Sequence, residues 1–107
     1  MRYKNNVGPQ MRRRRYALGW SQSDLATKLQ LAGFDISRSG VSKIESGFVY
    51  VHDFQIQVFA YVFRVPAIIF VPTLDMSKPI DETLGRLIYN EQHGLAPNYK
   101  TSLLANN

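Results

Sequence analysis

The residue types that most often carry catalytic chemistry are sparse in this sequence and form no recognisable site. The eight acidic residues are scattered, and no pair has a spacing that would place two carboxylates on one cleft wall. Cysteine is absent, and the two histidines, His52 and His93, lie far apart, so a metal site lacks ligands. We see neither a phosphate-binding glycine loop nor a nucleophile–base pair. We therefore expect no enzymatic activity, no metal and no cofactor.

The segment from Ser37 to Glu45 indicates a different chemistry. We predict a short helix that Ser37 caps and that buries Val41, Ile44 and Glu45. Its open face carries basic and hydroxyl side chains and no carboxylate: Arg38, Ser39, Ser42 and Lys43. Such a face can enter a DNA major groove, where arginine or lysine binds guanine O6 and N7. An ordinary polar surface helix would look similar, so the segment alone leaves both interpretations open.

The charge distribution favours a polyanionic partner for the N-terminal part. The net charge is +5. Ten basic residues stand against four acids in residues 1–64, whereas three stand against four in residues 65–107. A basic module joined to a nearly neutral segment is typical of proteins that bind nucleic acid.

One of the four consecutive arginines is expected to point inward. Arg12 to Arg15 lie on a predicted helix, so they point in different directions at steps of about 100°. Arg15 shares a face with Met11 and Leu18. An inward arginine requires a carboxylate, and Glu45, beside Ile44 on the third helix, is the natural candidate.

The chain length fits one compact domain. We predict a flexible basic arm at residues 1–8, a domain at residues 9–72, and a linker, helix and tail at residues 73–107. Residues 53–63 are ambiguous, because their apolar residues fit a helical stripe but also alternate as in a strand. A sixth helix is expected at about residues 81–93, with Gly94 as its stop.

No segment resembles a secretory signal or a membrane span. The longest apolar runs are Val58–Phe63 and Val65–Val71, well short of the ~20 residues that a spanning helix needs. We expect a cytoplasmic protein without a membrane partner.

Residues from about Met11 to Val71 resemble the Cro/repressor-type (Xre-like) helix-turn-helix family of bacteria and their phages. The resemblance depends on about a dozen residues in order rather than on one short motif. They are Arg15 with Gly19-Trp20-Ser21-Gln22, then Asp24-Leu25-Ala26 with Leu29, then Ile36-Ser37-Arg38-Ser39 with Val41-Ser42-Lys43-Ile44-Glu45 and Gly47, and finally Val65-Pro66 to Val71.

The resemblance implies an all-α, five-helix lambda-repressor-like domain, to which a C-terminal helix and tail are added. It favours a helix at residues 53–63. It implies that Gln22 binds a DNA phosphate, that Arg38, Ser39 and Lys43 meet base edges, and that Arg15 and Glu45 form an internal ion pair. We place Ser42 with the base-reading face. Ser37 is assigned to phosphate with Gln22, and charge alone adds Arg12, Arg13 and Lys4.

The departures from the family pattern are informative. The link between the second and third helices is about four residues longer than in the shortest members. Gly40 replaces a usual Thr or Ser, and Arg64 replaces a frequent Gly. Apolar residues stand at Tyr61, Ile68 and Ile69 where polar ones are usual. With Leu84, Leu87 and Ile88 of the sixth helix they would form one apolar surface. Either the C-terminal segment covers that surface within one monomer, or a homodimer does.

Our leading hypothesis is a sequence-specific regulator that binds double-stranded DNA as a homodimer and acts as a repressor or an antitoxin-like autoregulator. We expect it to be encoded by a bacterium or phage and to be associated with the nucleoid. A rigid helix suits the DNA major groove better than the deep groove of RNA. The alternative is a protein-interaction module that kept this fold and recruits a partner through Tyr61–Val71 and the sixth helix. The salt dependence of DNA binding would discriminate between them.

Overall fold

The computed structural model describes residues 3–93, and within this range the chain is all-helical, as predicted. The α-helices and the 3-10 helix are α1 (Gly8–Ala17), α2 (Gln22–Leu31), α3 (Arg38–Glu45), α4 (Asp53–Phe63), the 3-10 helix (Ala67–Phe70) and α5 (Glu82–His93). The first four α-helices and the 3-10 helix are the five predicted for the domain, and α5 is the predicted sixth helix. Gly94 and the tail beyond it lie outside the described residues, as do Met1 and Arg2.

Side-chain caps explain where α2 and α3 begin. The Ser21 hydroxyl accepts the Asp24 N–H at 2.9 Å, and the Asp24 carboxylate accepts the Ser21 N–H at 2.8 Å. This reciprocal pair is the capping box that the spacing predicts. The Ser37 hydroxyl accepts the Gly40 N–H at 3.1 Å and so caps α3. The predicted caps are therefore confirmed.

Residues 53–63 form a helix, because the helical period places their apolar side chains in the core. Phe59, Ala60 and Phe63 are buried against the other helices. They join a single cluster that includes Met11, Leu25, Ala26, Leu29, Val41, Ile44 and Phe70. Tyr61, between two of these core positions, is exposed. Tertiary packing thus overrides the local strand preference.

The N-terminal segment requires a correction, because residues 3–7 pack against the domain instead of extending as a flexible arm. The Asn5 amide donates to the carbonyl oxygens of Val49 at 2.8 Å and Ile44 at 3.3 Å. Its side-chain oxygen accepts the N–H groups of Val7 and Gly8 at the start of α1. A buried amide with all these bonds anchors the segment in one conformation.

Helix α5 contacts the same N-terminal segment. The Asn90 amide donates to the carbonyl oxygen of Tyr3 at 2.6 Å, and the Tyr50 hydroxyl donates to the carbonyl oxygen of Asn90 at 3.2 Å. Asn90 is buried in this contact.

The described helices include none with the length and apolar character of a membrane span.

Candidate nucleic-acid interface

Helix α3 presents one side to the core and the other to solvent. Val41, Ile44 and Glu45 are buried, as the sequence predicts. The predicted base-reading residues lie on the opposite side, where Arg38, Ser39 and Lys43 are exposed and Ser42 is half-buried. The carboxylate of Glu45 is turned inward, so the open side carries no negative charge. The structure therefore brings these four predicted residues together on one exposed face.

The inward carboxylate forms an ion pair with Arg15. The Arg15 Nε donates to Glu45 Oε2 at 2.7 Å and Nη2 donates to Oε1 at 2.9 Å, so the two buried side chains form a bidentate salt bridge. Arg15 Nη1 also donates to the carbonyl oxygen of Trp20 at 2.8 Å. The hydrogen bonds with Glu45 raise the pKa of the Arg15 guanidinium, and this outweighs the opposing effect of burial. The pair joins α1 to α3 and holds α3 against the domain.

Gln22 links this ion pair to the exposed face of α3. Its Nε2 donates to Glu45 Oε1 at 3.2 Å, and its Oε1 accepts from Arg38 Nη1 at 2.9 Å. Glu45 and Arg38 lie seven positions, about two helical turns, apart, so Arg38 stands at the edge of the exposed face that borders the buried side of α3. One carboxamide therefore bridges the buried carboxylate and the exposed guanidinium. The second hydrogen of Nε2 remains available for the phosphate contact that the resemblance assigns to Gln22.

The other predicted phosphate ligands lie around α3 in different settings. Arg12 Nε is 3.6 Å from Glu45 Oε1, while 42% of the Arg12 side chain stays exposed. Arg13 donates to Gln10 at 2.7 Å, and the Lys4 ammonium lies 4.9 Å from the centroid of the Tyr50 ring. The Ser37 hydroxyl oxygen accepts the Gly40 N–H as the helix cap. A hydrogen bond to a phosphate would therefore come from the same hydroxyl group.

Two glycines shape the surroundings of α3, and sequence reasoning missed both roles. A Cβ at Gly8 would overlap the carbonyl oxygen of Ile44 and lie 2.8 Å from that of Glu45. A Cβ at Gly40 would lie 2.6 Å from Ile36 Cγ1. The longer link between α2 and α3 therefore folds Ile36 onto α3, and only glycine leaves room there. The clue in the sequence was the joint occurrence of the longer link and Gly40.

The six residues predicted as one apolar surface lie in separate places. Leu84, Leu87 and Ile88 line a groove together with Tyr50 and Ile56 of the domain. Tyr61 lines a different groove with Trp20 and Leu31, while Ile68 and Ile69 remain exposed on the 3-10 helix. The orientation of α5 along the N-terminal segment separates these positions.

The described residues contain no group of three or more His, Asp or Glu side chains arranged to hold a metal ion.

Arg64, which replaces a frequent glycine at the end of α4, adopts a left-handed conformation with φ of 59°. Glycine adopts this conformation without steric strain, which fits the glycine that the resemblance leads us to expect at this position.

Comparison with known proteins identifies the segment that contains this arrangement. Residues 11–51 match the family model described as Helix-turn-helix. The matched range contains α1 from Met11 onward, α2 and α3, together with the Arg15–Glu45 pair and Gln22. No curated protein and no solved structure matched the chain. Residues 11–51 therefore resemble a helix-turn-helix of the Cro/C1 (Xre-like) type, and they lie in a chain that is all-helical over residues 3–93.

Proposed function

We propose that this protein is a repressor-like regulator that binds a specific double-stranded DNA sequence as a homodimer. The observation that carries this proposal is the exposed face of α3. Arg38, Ser39 and Lys43 project from it, no carboxylate shares it, and the ion pair beneath it fixes its orientation. On this proposal the protein is not an enzyme and acts on DNA in the cytoplasm of a bacterium.

In the proposed mechanism, one set of residues positions the protein on the DNA backbone and another set reads the bases. Gln22 and the basic side chains Arg12, Arg13 and Lys4 bind phosphates and set the register of the protein on the duplex, but phosphates carry no sequence information. Arg38 and Lys43 read guanine edges in the major groove, while Ser39 and Ser42 supply smaller hydrogen-bonding groups. Affinity for the specific site is expected at about 10⁻⁸–10⁻¹¹ M at physiological salt.

A homodimer would present two α3 helices to half-sites about 34 Å apart. Support for it comes from apolar side chains that the described chain leaves exposed after α4. These are Ile68, Ile69, Val71, Leu74, Met76 and Ile80. Exposed apolar side chains that follow one another along a short segment favour burial against a second copy. Sedimentation should give a dimer for the wild type and a monomer for Ile68→Ser/Ile69→Ser.

The experiment that tests DNA recognition is selection of bound duplexes from a random pool. We expect the wild type to enrich a palindrome that Arg38→Ala/Lys43→Ala fails to recover. Arg64→Gly/Lys78→Ala, which removes the same charge away from α3, should recover it. On the enriched site, Arg38→Ala should cost ~1–3 kcal/mol at one base position and relax the preference there.

Failure of enrichment with both proteins would overturn sequence-specific recognition. A salt titration separates the remaining cases. A protein that neutralises several phosphates loses affinity steeply between ~50 and ~200 mM salt. Weak binding that is equal on every sequence would favour the interaction-module alternative.

A further inference from the structure

A second surface lies between the C-terminal parts of α2 and α4. We call it the α2–α4 groove. It is lined by Trp20, Lys28, Leu31, Ala32, Tyr61, Val62 and Arg64. Beyond Ala32 and Tyr61 it continues into a depression with Phe54 and Val58. Gln22 begins α2 and Leu31 ends it, so the Leu31 end of the groove is about 13 Å along that helix from the proposed DNA contact. Trp20, at the other end of the groove, precedes Gln22 by two residues.

Several large apolar side chains are exposed at the α2–α4 groove and the depression that continues it. Leu31 is 85% exposed, Tyr61 60% and Phe54 57%. Trp20 forms one wall and is held by stacking on Phe63, with ring centroids 5.2 Å apart. A contiguous apolar surface with a polar rim is characteristic of protein interaction sites. Tryptophan and tyrosine are also the residues enriched where a few side chains dominate binding.

Two cations are held over the aromatic walls of the groove. The Lys28 ammonium lies 4.6 Å from the Trp20 ring centroid, and the Arg64 guanidinium carbon lies 4.8 Å from that of Tyr61. No acidic residue of the described chain lines the groove, and neither cation belongs to an ion pair there. Asp24, one helical turn before Lys28, directs its carboxylate to the Ser21 N–H. The groove is therefore positively charged.

Arg64 is present at the cost of backbone strain. It is the one non-glycine residue with positive φ in the described chain, at 59°. Glycine would occupy this position more easily, and the side chain of Arg64 is exposed rather than packed in the core. Strain that the fold does not require points to a task for the side chain itself.

We infer that the α2–α4 groove binds a segment of another protein that carries carboxylates beside a large apolar side chain. The apolar side chain would pack between Leu31 and Tyr61, and the carboxylates would meet Lys28 and Arg64. Charge complementarity selects this occupant, since both cations border the same apolar surface. The surface is separate from the exposed face of α3, so the protein can hold such a partner and DNA together.

The test uses a display library of random 12-residue peptides and the full chain. Peptides are selected on the wild type and counter-selected on Lys28→Gln/Arg64→Gly. Arg14→Gln/Lys78→Gln removes the same charge elsewhere and serves as the matched control. We expect enriched peptides to pair Asp or Glu with Leu, Phe or Trp. Arg64→Gly places glycine at a position with left-handed backbone conformation, which glycine adopts without steric strain. This variant is therefore expected to fold, and a thermal melt checks that it does.

Binding is then measured by the fluorescence of Trp20, the only tryptophan in the chain, with selected peptides that lack tryptophan. Affinity should fall at least tenfold in Lys28→Gln/Arg64→Gly and stay unchanged in the control. A peptide with Asn and Gln in place of its acids should lose a similar factor on the wild type.

Three results would overturn the inference: no enrichment, enriched peptides without acids, or equal binding to Lys28→Gln/Arg64→Gly. Self-association that this variant abolishes would also overturn it, because the groove would then bind a second copy. None of these results bears on the DNA selection, which tests a different surface.

Discussion

Arg38 donates from Nη1 to the Oε1 of Gln22 at 2.9 Å, so the guanidinium assigned to base recognition is positioned by the neighbouring helix. Gln22 is itself held by the buried carboxylate of Glu45 at 3.2 Å. An exposed arginine loses considerable rotamer freedom when it binds a ligand. A side chain that is held in place beforehand loses less, and its specificity then depends on the residue that holds it.

Gln22→Ala should therefore relax base preference and not only weaken binding. On the enriched DNA site, we expect discrimination at the base read by Arg38 to fall by about 1 kcal/mol, the order of one net hydrogen bond. Arg13→Ala should weaken binding to all sequences alike. Competition assays with single-base variants of the site measure both. If Gln22→Ala behaves like Arg13→Ala, Gln22 only binds phosphate.

Glu45→Gln should destabilise the fold severely. The substitution leaves the buried Arg15 guanidinium without its counter-charge, and breaking a buried pair in this way costs about 3–5 kcal/mol. Glu82→Gln, which alters the pair between the exposed Glu82 and the half-buried Arg86 on α5, should cost less than about 1 kcal/mol. Urea denaturation gives both free energies of unfolding. Similar small values would show that the Arg15–Glu45 pair is accessible to water.

Gly40→Ala should destabilise the protein although alanine favours helices. The added Cβ meets Ile36 Cγ1, and such overpacking typically costs about 1–3 kcal/mol. In an Ile36→Ala background the obstacle is gone, and the same substitution should stabilise by up to about 1 kcal/mol. The free energies of unfolding of the four proteins in this cycle provide the measurement. An unchanged sign in the two backgrounds would refute the contact.

The capping box of α2 should make stability depend on acid pH. Hydrogen bonds from the backbone N–H and side chain of Ser21 lower the pKa of the Asp24 carboxyl. Because the folded value is the lower one, the contribution is complete above the ordinary aspartate pKa and is lost as pH falls through the folded value. Ser21→Ala weakens that preference for the ionised carboxylate.

The difference in unfolding free energy between wild type and Ser21→Ala should therefore be larger at about pH 6 than at about pH 3. Urea titrations at the two pH values measure it. A difference that does not change with pH would show that the cap acts without the charge of Asp24.

Local sequence patterns predicted much of this structure. The predictions that failed concern contacts between segments that are distant in the sequence. The caps at Ser21 and Ser37 were predictable because each bond spans three residues. The pairing of Arg15 with Glu45 was predictable because a single inward arginine needed a carboxylate and few were available. The helix at residues 53–63 required the family resemblance, since local propensity left a strand open.

The N-terminal segment and the position of α5 were not predictable in the same way. Asn5 bonds to carbonyl groups 39 and 44 residues away, and a polar N-terminal stretch gives no sign of that. Asn90 reaches Tyr3 across almost the whole described chain. Sequence periodicity shows which side of α5 is apolar but not which element it packs against, so the predicted six-residue surface did not form.

The close approach of Gly8 to the carbonyl groups at the end of α3 has a consequence for how DNA would be recognised. Helices α1 and α3 approach closely at their backbones there and are bonded again through Arg15 and Glu45, so two separate contacts fix their relative orientation. The distance between the arginines of α1 and the base-reading face of α3 is then set before binding. In the proposed complex the duplex must therefore adapt its shape to the protein. Operators would be favoured if their uncontacted base-pair steps bend or twist easily.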